Sequence, residues 1–171
     1  HGGVDVSLFL QNEFIRYLKE IFYKNKNGNL SIENILIKLF ENIDKCFQTE
    51  KYNNIGSTAC VCYFTKEKNK RIFYCANLGD TRCLLLKNKS FKRISYDDRA
   101  TDKNEIDRVM NAGGVIFGGR VSGQLMLTRA FGDYELKRYG VINTPHIVKY
   151  EIGYDDKYVI IASDGVWDLL R

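Results

Sequence analysis

The sequence predicts an α+β fold in which helices cover largely antiparallel sheet. Two long stretches with helical apolar spacing open the chain, and short strand-like runs joined by polar turns follow from Gly56. No regular strand–helix–strand alternation links them. From Asp5 to Lys24, the residues Leu10, Phe14, Ile15, Leu18, Ile21 and Phe22 recur at three- and four-residue steps, the period of an amphipathic helix. The stretch Asn25 to Asn29, with Gly28, breaks it. A second helix is predicted from Ser31 to Thr49, with Ser31 as N-cap and Ile32, Ile35, Leu36, Leu39, Phe40, Ile43 and Phe47 as a broad apolar stripe.

After Gly56 the runs Thr58 to Thr65, Arg71 to Leu78, Arg82 to Lys87 and Phe91 to Ile94 are rich in β-branched, aromatic and Cys residues. Lys66 to Lys70 and Asn88-Lys89 read as hairpin loops, so these runs form an antiparallel meander. A third helix fits Thr101 to Ala112, with Asp102 and Glu105 at capping-box spacing and Gly113-Gly114 as its stop. Short strands are then expected at Val115 to Phe117, Arg120 to Leu127, His146 to Ile152 and Tyr158 to Ser163. The stretch Tyr158 to Ala162 has no polar alternation, which predicts a strand buried on both faces.

Composition narrows the function. Among 171 residues, 26 Lys and Arg against 21 Asp and Glu leave a net charge of +5, scattered along the chain, which gives no footprint for binding nucleic acid. The longest uninterrupted apolar stretch, Ala59 to Phe64, is far short of the roughly 18 to 20 residues needed to cross a bilayer. One proline and 14 glycines argue against Pro-rich linkers and low-complexity tails. The five cysteines, Cys46, Cys60, Cys62, Cys75 and Cys83, show no metal-ligand spacing, and Cys60-x-Cys62 in a strand reads as core. Buried reduced thiols point to a reducing compartment, cytoplasmic or nuclear. The first residue is His1 and the expected doubly buried strand lies close to Arg171, so the reading expects a single domain with both ends missing.

Candidate chemistry sits where strands end. Gly79-Asp80, Gly132-Asp133 and Asp164-Gly165 each follow an apolar run, a place where side chains converge on a rim. Asp168 lies four residues after Asp164, so a helical turn from Gly165 to Leu170, anchored by Trp167 and Leu169, puts both carboxylates on one face. Clustered carboxylates repel one another unless a cation sits among them, and an oxygen-only set favours Mg2+ or Mn2+ over Zn2+.

The motifs His1-Gly2-Gly3, Gly56-Ser57-Thr58-Ala59, Asn77 to Arg82 (NLGDTR), Asn111 to Gly114 (NAGG), Arg120 to Leu125 (RVSGQL), Thr128 to Asp133 (TRAFGD) and Ser163 to Asp168 (SDGVWD) occur in a telling order. In order and spacing they resemble the metal-dependent Ser/Thr protein phosphatases of the type-2C (PPM) family, over nearly the whole chain. The resemblance implies a four-layer α-β-β-α sandwich of two mainly antiparallel sheets flanked by helices, incomplete in this chain. It implies hydrolysis of phosphoserine and phosphothreonine in proteins by a metal-activated hydroxide at a binuclear Mg2+ or Mn2+ centre, with up to three ions in all. Asp164 resembles the family's direct metal ligand, and Asp80 and Asp168 resemble the ligands of its third metal position. His1 resembles the general acid that protonates the leaving alkoxide, a task suited to a group with an unperturbed pKa of about 6.5.

Other motif residues read mainly as scaffold. Thr58 or Ser57 satisfies backbone groups, Arg129 and Asp133 pair or cap a turn, and Arg82 pairs with carboxylates near the rim, a substrate-phosphate role being its alternative. Ser95 to Thr101 (SYDDRAT) departs from the family's Asp-His-Lys-Pro at Asp98, Arg99 and Ala100. The family's aspartate two residues before its histidine, its phosphate-binding arginine and the Asp of its late Asp-Asn motif are expected outside His1 to Arg171. The 171 residues alone are therefore expected to bind metal weakly and to be inactive. Phosphorylated proteins are the expected substrates, with no nucleic-acid or membrane partner, and the chain is expected to be a monomer. A pseudophosphatase acting as a binding or regulatory module is the alternative. A metal-dependent nuclease is disfavoured, since it leaves the motifs unexplained.

Overall fold

The computed structural model describes residues 1–169. Helix α1 spans Asp5–Lys24 and α2 spans Ile32–Asp44. Ser31 caps α2 by accepting the Asn34 amide at 3.3 Å, a contact worth about 1 kcal/mol. The second helix is shorter than its apolar pattern, and two single 3-10 turns, Lys45–Phe47 and Glu50–Tyr52, carry the chain onward. Asp44, the last residue of α2, is buried and accepts the Gly132 amide.

Strands β1 (Gly56–Ser57), β2 (Ala59–Glu67), β3 (Lys70–Leu78), β4 (Arg82–Lys87) and β5 (Phe91–Arg93) form the expected meander. Helix α3 (Lys103–Asn111) follows, then β6 (Ile116–Phe117), β7 (Arg120–Val121), β8 (Phe131–Gly132), the short α4 (Tyr134–Lys137), β9 (His146–Glu151), β10 (Asp156–Ala162) and the single turn α5 (Asp164–Trp167). One sheet has the order β2-β3-β9 and the other β10-β4-β5, with every pair antiparallel. The two sheets enclose Phe73, Cys75, Cys83, Leu85 and Ile94. On the far side of the first sheet, Ile72, Tyr74, Ala76 and Leu78 of β3 bury against Leu36, Leu39, Phe40 and Ile43 of α2 and Val6 and Leu10 of α1. Each such side chain contributes roughly 1.5–3 kcal/mol when fully buried. The architecture is an α+β sandwich of antiparallel sheets, as predicted, and the described residues provide helix, sheet and sheet layers.

Three expectations at the level of elements are corrected. The doubly buried strand is β3, not β10: every residue from Ile72 to Leu78 is buried, whereas Tyr158, Ile160 and Ile161 of β10 are exposed. The cause is position, because β3 lies between β2 and β9 while β10, among the described residues, is an edge strand paired with β4. The strand expected from Arg120 to Leu127 ends at Val121, since Ser122 and Gly123 take positive φ values of 50° and 69° and turn the chain. Finally, Phe131–Gly132, read as a motif and not as a strand, pairs with Gly56–Ser57.

Candidate active site

Asp80 follows β3 through Gly79, whose φ of 87° makes the turn. That turn is clasped by Asp98: its Oδ2 accepts the Gly79 amide at 2.8 Å, and its own amide donates to the Gly79 carbonyl at 3.1 Å. Asp80 Oδ2 in turn accepts from Arg99 Nη2 at 2.8 Å and Nε at 3.1 Å. Burial raises the Asp80 pKa, Arg99 opposes the rise, and the nearby Asp164 and Asp97 carboxylates add to it.

Asp164 opens α5 directly after β10. The Asp168 amide donates to the Asp164 carbonyl at 2.8 Å, so both carboxylates stand on one turn, as the spacing predicts. Trp167 anchors that turn by donating from Nε1 to the Ala162 carbonyl at 2.6 Å. Leu169 does not anchor it: the side chain is 83% exposed, and the end of the predicted turn, Leu170, lies outside the described residues. Asp168 Oδ1 lies 3.7 Å from Arg99 Nη2, so one guanidinium faces both Asp80 and Asp168.

His1 reaches the same place from the other end of the chain. Its Nε2 lies 2.7 Å from Asp133 Oδ2. Asp133 is buried in a left-handed conformation (φ 47°, ψ 46°), and its amide donates to the Ile55 carbonyl at 3.0 Å. Burial pushes the Asp133 carboxyl up to about 6, with Lys137 pulling the other way. Behind it, Asp44 accepts the Gly132 amide at 2.9 Å, Asn143 Nδ2 at 2.8 Å and Lys137 Nζ at 3.0 Å, which holds the Gly132-Asp133 turn to α2. A cavity of about 500 Å³ is lined by His1, Thr58, Asp80, Arg120 and Asp164, among others. Three of the four predicted site residues therefore line one space, and Asp168 stands beside it on the Arg99 side.

The scaffold readings hold for Ser57 and Arg82, whereas Thr58 meets a side chain instead of a backbone group and the Asp133 side chain caps no turn. Ser57 Oγ donates to the Thr58 carbonyl, and Thr58 Oγ1 pairs with Thr81 Oγ1 at 2.7 Å. Arg82 pairs with Asp97, with Nη2 to Oδ2 at 2.8 Å. Sequence reasoning missed two partners, Asp133 for His1 and Glu105 for Arg129. The Asp102 side chain accepts the Asn104 and Glu105 amides, as the capping spacing predicts. Glu105, however, does not turn back to the cap. It accepts from Thr128 Oγ1 at 2.6 Å and from Arg108 and Arg129, each at 2.7 Å. Burial alone raises its pKa, but these donors outweigh that effect and hold it at about 2.

Two groups of carboxylate-bearing side chains come into question as cation sites. Asp98, Glu105 and His146 present ligand atoms within 4.8 Å of one another. Arg129 already compensates them, lying 3.4 Å from Asp98 Oδ1 and 2.7 Å from Glu105 Oε1, so this group is a buried ion-pair cluster. Asp80 and Asp168 face the Arg99 guanidinium, Asp164 stands near enough to Asp80 to raise its pKa, and these oxygen donors are the kind a hard divalent ion takes.

The sequence profile described as "Protein phosphatase 2C" matches residues 1–171. The chain belongs to the protein phosphatase 2C family. Among curated members, "Protein phosphatase 2C homolog 1" of Saccharomyces cerevisiae is 35% identical over 183 residues, covering 99% of this chain and 64% of that protein. "Protein phosphatase 2C homolog 1" of Schizosaccharomyces pombe is 34% identical over 99% of this chain and 49% of its own length. This protein phosphatase 2C chain thus spans about half to two thirds of the length of these relatives. Among solved structures, a sex determining protein of C. elegans superposes with a TM-score of 0.85 at 29% identity, over 100% of this chain and 43% of that one. Serine-threonine phosphatase 2C from Toxoplasma gondii gives 0.74 at 17% identity, over 98% and 65%, a likeness of fold.

Two predictions concern the histidine–aspartate pair of this protein phosphatase 2C chain. A Cβ at Gly56 would stand 2.1 Å from Asp133 Oδ2 and 2.6 Å from His1 Nε2. Gly56→Ala is therefore expected to push the pair apart, and thermal melts should show the variant less stable than wild type by about 1–3 kcal/mol. The second concerns pH. The folded pKa of Asp133, about 6, lies above the ordinary aspartate value of 3.8, so folding favours its protonated form. Its contribution is full below about pH 4 and is lost as pH rises through 6. Thermal melts of Asp133→Asn should lack that decline, and a decline of unchanged size would refute the assignment.

Proposed function

We propose that the full-length protein hydrolyses phosphoserine and phosphothreonine in phosphorylated proteins with the help of bound Mg2+ or Mn2+, residues 1–171 being part of the catalytic domain. The observation that carries this reading is that His1, Asp80 and Asp164, from three distant segments, line one cavity. Asp164 would hold metal directly, with Asp80 and Asp168 as ligands of a further ion. When bound, the ions supply an activated water and balance the charge of the phosphoryl oxygens.

The chain's own residues supply the rest. His1 donates the proton that the departing Ser or Thr oxygen requires, since an alkoxide leaves poorly. Asp133 orients the His1 ring through Nε2, and the Asp44, Lys137 and Asn143 contacts keep Asp133 in place. Arg99 lies 2.8 Å from Asp80 and 3.7 Å from Asp168, so an ion held by those two carboxylates would share them with this guanidinium. The decisive assay is phosphate release from a phosphothreonine peptide by the full-length protein with Mn2+ and with EDTA. Release that needs Mn2+ supports the enzyme. Absence of release, with the fold intact by circular dichroism, supports a pseudophosphatase that works by binding.

A further inference from the structure

Four cysteines converge between the sheets although their positions in the chain follow no metal-binding spacing. Cys60 and Cys62 lie two apart on β2 and so share a face, Cys75 is the partner of Cys62 across the β2–β3 hairpin, and Cys83 comes from β4 of the facing sheet. Cys60 Sγ is 3.7 Å from Cys75 Sγ, and Cys62 Sγ is 3.7 Å from Cys83 Sγ. The sulfurs of Cys60, Cys75 and Cys83 all lie within 4.8 Å of one another, and all four thiols are free. Cys75 and Cys83 are fully buried. Cys62 lines a separate cavity of about 480 Å³ between the sheets, together with Arg71 and Lys157.

We propose that Cys60, Cys62, Cys75 and Cys83 form a second metal site, distinct from the acidic rim, that binds one Zn2+. A tetrahedral zinc–sulfur centre has bonds of about 2.3 Å, hence sulfur–sulfur edges of about 3.8 Å. Two of those edges already stand at 3.7 Å in the folded chain, and Cys62, which lies outside the group of three sulfurs within 4.8 Å of one another, must swing inward to complete the set. A sulfur-only set discriminates against Mg2+ and Mn2+, so the two sites sort cations by softness. On binding, the four thiols release their protons to water, four sulfur–zinc bonds form, and the centre carries a net charge of −2. Arg71, Asp156 and Lys157 border the cavity that Cys62 lines, which offers an entry route. The ligands come from both sheets, so the ion would tie one sheet to the other.

The test uses the full chain under a phosphine reductant, with excess Mg2+ to occupy the carboxylates, titrated with Co2+ as the spectroscopic stand-in for Zn2+. The expected result is one equivalent of Co2+ producing a thiolate charge-transfer band with strong tetrahedral d–d bands, both erased by Zn2+. Cys62→Ser and Cys83→Ser should each weaken the charge-transfer band at least twofold. Cys46→Ser, whose thiol contacts Tyr17 elsewhere, should leave it intact. The wild-type spectrum decides the matter even if a variant fails to fold. Co2+ bound without a charge-transfer band, or no Co2+ bound at all, would overturn the proposal and leave a core of packed thiols. None of these readouts depends on phosphatase activity.

Discussion

Asp164→Ala in the full-length protein is expected to lower Mn2+-dependent phosphate release by about three orders of magnitude, a loss of about 4 kcal/mol of transition-state stabilisation. The melting temperature should barely move. Asp164 is exposed at the start of a one-turn helix, and its side chain accepts only the amide of Gly165 among the described residues. Substitutions of that kind usually stay within about 0.5 kcal/mol of stability. Activity and stability should therefore separate cleanly, and retention of activity within tenfold of wild type would remove Asp164 from the proposed metal ligands.

Glu105→Ala should act in the opposite way, first on the fold. The carboxylate is 3% exposed and is the common acceptor for Arg108, Arg129 and Thr128. Removing it strands two guanidinium groups that also brace the Thr128, Gly140 and Thr144 carbonyls. The lowering of its pKa from 4.5 to about 2 corresponds to about 3 kcal/mol, and breaking a buried pair costs a similar 3–5 kcal/mol. For a domain of this size that predicts a fall in melting temperature of roughly 10 °C at pH 7. The sign with pH is fixed by linkage. A depressed pKa gives stability that is present above the unfolded value near 4.5 and lost as pH falls through about 2. Wild type and variant should therefore converge in acid, and a gap that persists at pH 2 would show that the loss is steric and not electrostatic.

Local pattern and distant partnership were not equally legible in the sequence. The amphipathic period of α1 and α2, the Ser31 and Asp102 caps and the meander from Gly56 can be read because each is encoded within a few neighbouring residues. The aspartates at strand ends stand out for the same reason. What could not be read is long-range. Asp133 meets a histidine 132 positions away, and Asp44 holds a loop 88 positions away. Glu105 looked like half of a capping box, but tertiary donors offered a buried carboxylate more than the helix terminus did. The apolar run of β10 promised two covered faces, whereas neighbours, not composition, decided that β3 has them. The cysteines were legible as core, which they are, but the approach of their four sulfurs was not, because it exists only across three strands.

The double burial of β3 also bears on how the molecule assembles in time. β2 and β3 are joined by Lys68 and Asn69, both with positive φ (46° and 67°), the backbone of a tight hairpin turn. Their pairing closes a short loop and can form within microseconds, whereas β9 must return across the whole of the intervening chain to pair with the other edge of β3. The hairpin is thus placed to act as the nucleus on which helices settle from one side and the second sheet from the other. Mutations in β3, such as Ala76→Gly, should slow folding more than they speed unfolding, while changes in β10 should do the reverse.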